Sequence, residues 1–136
     1  MDPYLPEFSA TVFLATPPVG GWPSRFAVVT ACNENGDRDA DAANLARTAE
    51  LRKILDDTGH AYFPVTGCSP DLLHREPGFG CETGSLDVAI ALGRRYNQLA
   101  VWWIEHNNLE LVYVGSGRRH TLGSWSARVK GTADHA

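Results

Sequence analysis

Basic residues are in deficit. Lysine and arginine total 12 against 16 aspartates and glutamates, for a net charge of −4 and an isoelectric point near 5.7. A duplex-binding protein normally carries a basic face strong enough to dominate its balance, so nucleic acid is a disfavoured partner, although a small basic pocket stays compatible with the count. Cysteine is sparse and odd in number: Cys32, Cys68 and Cys81 stand alone, with spacings that match no zinc pattern. No apolar run approaches membrane-spanning length, and Met1-Asp2-Pro3-Tyr4 lacks the basic-then-apolar opening of a signal peptide. Reduced thiols in a cytoplasm fit best, with no membrane partner. Internal repeats and low-complexity tracts are missing as well. No Gly-x-Ser-x-Gly, His-Glu-x-x-His or paired-carboxylate signature appears, and the glycines at 20, 21, 78, 80 and 84 follow no phosphate-loop pattern. No cofactor and no metal is expected.

What is present suits one folded domain. A chain of 136 residues, 43% hydrophobic and 21% charged, buries about two-thirds of the surface its unfolded form exposes. It needs no disulfide or metal to hold together. Residues 8–15 read as a first strand. Pro17, Pro18, Gly20, Gly21 and Pro23 then break regular structure. Residues 25–31 form a continuous apolar and β-branched run, the pattern of a strand buried on both faces. Residues 42–58 form the clearest helix, started by Asp39 or Asp41 and ended by Gly59, with Thr48, Leu51, Leu55 and Thr58 at helical spacing and Leu45 and Ile54 flanking. A strand follows over 60–66, then a loop over 68–83. Ser85 caps a second helix over 86–96. A strand over 98–105 turns at Asn107-Asn108 into a fifth strand over 109–114. The expected fold is α+β: a mixed, largely antiparallel sheet of about five strands with two helices on one face. The expected domain covers 1–115. Residues 116–136 read as a tail, either docked as a strand or poorly ordered near its end.

The stretch Phe26-Ala-Val-Val-Thr-Ala-Cys-Asn33 resembles the strand-and-asparagine opening of the bacterial domain-of-unknown-function family numbered 3293. Asn44 with Leu51, Gly67 followed by Glu76 and Phe79, and Tyr96-Asn-Gln98-Leu-Ala-Val-Trp match further features of that family. The chain departs from the family's pattern at Cys32 and Glu34, where an aromatic and a proline are common. It departs again at Glu76-Pro-Gly-Phe79, where a Glu-Glu-Ser-Phe-like loop is usual. The resemblance implies a fold and a polar site. It implies no reaction.

Five residues form the candidate site: Thr30, Asn33, Asn44, Glu76 and Gln98. Thr30 and Asn33 end the buried strand, Asn44 opens the next helix, Glu76 lies in a loop and Gln98 begins a later strand. Ligands in α/β layers collect outside the carboxyl ends of strands near helix N-termini. Gln98 joins that place only if its strand runs antiparallel to the first. Amide side chains offer two donors and an acceptor, which suits an uncharged, nucleotide-like or amide-like ligand bound by Thr30, Asn33, Asn44 and Gln98, with Glu76 as acid, base or acceptor. In the plainer reading Asn33 and Asn44 brace a loop and Glu76 anchors it.

Other groups are weaker. Cys32 ends a strand before a helix, where a reactive thiol with His60 or His74 is conceivable, but free cysteine is usually a small buried hydrophobe. His60, Cys68, His74 and Cys81 lack the close pairing of structural zinc sites. Adjacent Trp102 and Trp103 point to opposite faces of their strand, and with Tyr113 they offer an open aromatic face for bases or for a second subunit.

Three functions follow. The leading one is a small intracellular domain that binds a polar small molecule or acts in regulation. The second is a small hydrolase or transferase with Glu76 as general acid/base. The third is a protein-interaction module, with a homo-oligomer as one form of it.

Overall fold

The computed structural model describes residues 2–131. Its strands are β1 (Val12–Leu14), β2 (Arg25–Thr30), β3 (Tyr62–Cys68), β4 (Arg75–Cys81), β5 (Ala100–Glu105), β6 (Asn108–Tyr113) and β7 (Arg119–Ser124). Its helices are α1 (Leu5–Ser9), α2 (Asp41–Thr58), α3 (Leu86–Arg95) and α4 (Trp125–Arg128). The α+β class holds. The sheet, however, has seven strands rather than about five, in the order β1-β3-β4-β2-β5-β6-β7. Every neighbouring pair in it is antiparallel, so it is not mixed.

Alternation along the central strands explains the two-sided burial. Ala27 and Val29 of β2 join Val101 and Trp103 of β5 beneath α2 and α3, which bury Leu51, Leu55, Ala89 and Leu92 against them. Phe26, Val28, Trp102 and Ile104 point the other way. Leu45, expected to flank the inner face of α2, is 73% exposed. Gly59 ends α2 at φ 74, as expected of a left-handed cap. Neither Asp39 nor Asp41 caps its start: Ala40 holds that place without a side-chain bond, and Asp39 pairs with Arg47 instead. Ser85 does cap α3, accepting from the amide of Val88.

The expected loop over 68–83 is mostly strand. β3 and β4 form a hairpin with continuous pairing from Tyr62↔Cys81 to Cys68↔Arg75. Pro77, Gly78 and Gly80 have poor strand propensity, which hid it. Packing overrides that propensity. Phe63 lies directly across from Gly80, and a Cβ at position 80 would overlap the Phe63 ring.

The first expected strand is also corrected. Residues 5–9 form α1, and only Val12–Leu14 pairs with β3. The last hairpin turns at His106-Asn107, one residue earlier than expected. Both residues have positive φ (49 and 70), the backbone of a type I′ turn.

The second sheet face is covered too. Phe8, Trp22, Leu122, Trp125 and Val129 pack over it. Trp102 is 7% exposed and Tyr113 is 4% exposed, so the open aromatic face does not exist. The segment after residue 115 supplies part of this cover. β7 pairs with β6, Trp125 is fully buried, and the chain then reaches the far edge of the sheet. There Lys130 donates to the carbonyl of Phe13, and Ala15 donates to that of Gly131. One short helix therefore separates a strand at one edge from the cover of the other edge, which requires the sheet to curl around its aromatic interior. The expectation of poor order at the extreme C-terminus falls on 132–136, outside the described residues. No helix among the described residues is long and apolar enough to cross a membrane.

Candidate functional site

Antiparallel pairing sets the site. β2 and β5 run in opposite directions, as do β3 and β4. The end of β2, the end of β3, the start of β4 and the start of β5 therefore meet at one open end of the curled sheet. Gln98, just before β5, lands beside Thr30, the last residue of β2. The Thr30 hydroxyl donates to Oε1 of Gln98 at 2.9 Å. Nε2 of Gln98 donates to the carbonyls of Cys32 and Tyr96.

Beyond β2 the chain must turn sharply into a 3-10 turn at Glu34–Gly36. Asn33 makes the turn with φ 53, a left-handed backbone that asparagine tolerates better than most residues. The residue is only 9% exposed, and both the oxygen and the nitrogen of its side chain are hydrogen-bonded. Oδ1 accepts from Nδ2 of Asn44 at 3.0 Å and from the amide of Asp39 at 2.9 Å. Nδ2 donates to Oε2 of Glu76 at 3.1 Å. Oδ1 of Asn44 accepts from the Asn33 main-chain amide at 2.9 Å. Arg47, one helical turn on, donates to the carbonyl of Ala31, to Asn44 and to Asp39, and pairs with Glu34 at 3.2 Å.

All five expected residues thus belong to one group, but not in one role. Thr30, Asn33, Glu76 and Gln98 line a hollow of about 390 Å³. Asn44 is not on its wall; it braces Asn33 from behind. The amides of Asn33 and Gln98 bond within the protein, so they shape the wall more than they offer donors to a guest.

Residues not foreseen complete the hollow. His74 Nε2 lies 2.9 Å from Oε2 of Glu76 at the rim. The two are separated by one residue and meet at the start of β4, a relation that the expected loop over 68–83 does not predict. Tyr4, Glu7, Phe8 and Thr11 close the opposite wall. They come from α1 and its flanks, and Phe8 sits edge-on to Trp102 and Tyr113 at 5.9 and 6.0 Å. Nothing in the sequence pattern of 2–11 pointed to that placement, because its contacts lie more than ninety residues away along the chain.

All three cysteines are free and buried, which disfavours an activated thiol. Cys32 is 3% exposed. Burial pushes its thiol pKa up, and the Thr48 hydroxyl beside it only partly offsets this. Its sulfur donates to the carbonyl of Pro77. Cys68 borders the hollow but is likewise buried, with its pKa raised by burial. The reactive-thiol reading is corrected accordingly. His60, Cys68, His74 and Cys81 do not converge: among the described residues no group of three or more histidine, cysteine or acidic side chains is placed to hold a metal.

A family model described as "Protein of unknown function (DUF3293)" matches residues 29–101. That span contains Thr30, Asn33, Asn44, His74, Glu76 and Gln98, and excludes the wall built by Tyr4, Glu7, Phe8 and Thr11. No curated protein and no solved structure matches the chain.

Proposed function

The chain belongs to the DUF3293 family of proteins of unknown function, and we propose that it is a small-molecule-binding domain whose ligand enters the hollow at the end of the curled sheet. One observation carries the reading. Thr30, Asn33, Glu76 and Gln98, far apart in the chain, line one cavity of about 390 Å³ that combines these polar groups with apolar lining from Phe8, Leu99, Ala100 and Trp102. That volume and that mixture are typical of small-ligand sites, and the mouths of barrel-like sheets are a usual place for them. Among the described residues no lysine or arginine lines the hollow, which favours a small molecule over nucleic acid as partner. A cytoplasmic setting, where the three free thiols stay reduced, accompanies this reading. The test is a fragment screen by amide chemical-shift mapping. Shifts should concentrate at Gly67, Ser69, Glu76 and Ala100. Fragments that move only other surfaces count against the reading.

A second reading, a hydrolase or transferase, is favoured by the 2.9 Å contact between His74 and Glu76. A carboxylate that orients an imidazole is a recurrent acid/base arrangement. In that case Glu76→Gln and His74→Ala abolish turnover of a bound substrate while leaving its affinity within a few-fold.

A further inference from the structure

The charge of the hollow narrows its ligand. Among the described residues two acidic residues line it, Glu76 from β4 and Glu7 from α1, together with His74, and no lysine or arginine does. Arg47, which lies behind the Asn33–Asn44 pair, is already matched by Glu34 and Asp39. Asp2, beside Tyr113, is already paired with His120 at 2.7 Å and Arg118 at 3.5 Å. Asp2 and Glu7 both help to keep the phenol of Tyr113 protonated, after burial, which is the larger cause. An anionic guest would find no lysine or arginine here, only His74, whose Nε2 already bonds Glu76 at 2.9 Å, so its desolvation would be poorly compensated. Tyr4, Phe8 and Trp102 supply the complementary feature, an aromatic wall large enough to bury a ring or a short hydrocarbon chain.

We infer that the hollow takes a small organic amine: an ammonium head held between Glu7 and Glu76, with an apolar body against Tyr4, Phe8 and Trp102. This rests on the reading of the hollow as a binding site and adds the class of ligand. It also assigns a role to the N-terminal segment. Half of the charge and much of the aromatic wall come from residues 4–11, which lie outside the span shared with the family, 29–101. The shared part supplies the frame and Glu76. The segment in front of it sets the preference for a cation.

Three matched probes test the inference: phenethylamine, 2-phenylethanol and phenylacetate, each titrated up to millimolar concentration against the whole chain. Amide shifts at Gly67, Ser69, Glu76 and Ala100 give the affinity. Phenethylamine should bind most tightly. Glu7→Gln and Glu76→Gln should each weaken it by about fivefold, the scale of a partly exposed ion pair, and should leave the alcohol unchanged. Glutamine at 76 still accepts from Asn33, and Glu7 is an exposed residue, so both variants should fold. The unshifted parts of each spectrum check that they do. If the alcohol or the carboxylate moves the same amides as strongly as the amine, the cation preference is wrong while the hollow stands as a binding site. If the amine binds equally well to both variants, the assignment of Glu7 and Glu76 is wrong. If none of the three moves these amides, the inference fails and the binding-site reading loses its support with it.

Discussion

Asn33 and Asn44 face each other through two hydrogen bonds of opposite sense. The Asn33 main-chain amide donates to Oδ1 of Asn44 at 2.9 Å, and Nδ2 of Asn44 donates to Oδ1 of Asn33 at 3.0 Å. The pair locks the turn after β2 to the first turn of α2. It also directs Nδ2 of Asn33 to Glu76, to which it donates one hydrogen bond. The plain bracing role and the polar pocket are therefore the same arrangement seen from two sides: Asn44 holds Asn33, and Asn33 aims Glu76 at the hollow.

Removing the brace should be costly. Asn44→Ala leaves the Asn33 amide and part of its side chain unpartnered in a site that is nearly closed to water. We expect a loss of about 1–3 kcal/mol in chemical denaturation. Ligand shifts at Glu76 should weaken in parallel, although Asn44 touches no ligand. A variant as stable as the parent contradicts the account.

Gly80 tests whether packing, not propensity, makes β4. Gly80→Ala forces its methyl group into the Phe63 ring, and overpacking of this kind costs about 1–3 kcal/mol. In a Phe63→Leu background the same substitution should cost measurably less, because the clash is removed. The coupling from the double-mutant cycle is the measurement; additive costs would place the strain elsewhere.

Alkaline pH should destabilise the fold. Burial pushes the Cys81 thiol up to about 12 from an ordinary value of 9.0. The folded chain therefore keeps a proton that the unfolded chain releases first. The stability from this group is complete below pH 9 and is lost as pH rises toward 12. The full difference is worth up to about 4 kcal/mol. Cys81→Ala should flatten the decline above pH 9 in a pH series of urea midpoints. For the same reason iodoacetamide at neutral pH should label Cys32 and Cys81 far more slowly than a free thiol.

Ending the chain at residue 115 should abolish folding. It removes β7, the fully buried Trp125 and the partner of the β1 edge. Large-aromatic truncation alone, Trp125→Ala, should cost about 3–5 kcal/mol. A cooperative unfolding transition in the shortened chain would show that residues 1–115 suffice.

Local chemistry was enough for part of this protein. The apolar run 25–31, the periodicity of 42–58, the Ser85 cap and Gly59 each carry their instruction within a few residues, and the structure places β2, α2 and α3 there to within a residue. The amides at 33 and 44 could be grouped because strand and helix order alone brings them to one end; Gln98 joins them because β5 runs antiparallel to β2. Long-range contact decided the rest. β4 exists because Gly80 makes room for Phe63, and β7 because it pairs with the otherwise open side of β6. The hollow has its second wall because Phe8 finds Trp102 across the fold. Such contacts join residues whose neighbours in sequence say nothing about one another, and they override local preference because burying an aromatic ring outweighs the propensity of a glycine or a proline. The chain's own order therefore named the frame of the site, and only the packed structure gave it His74, Glu7 and a floor.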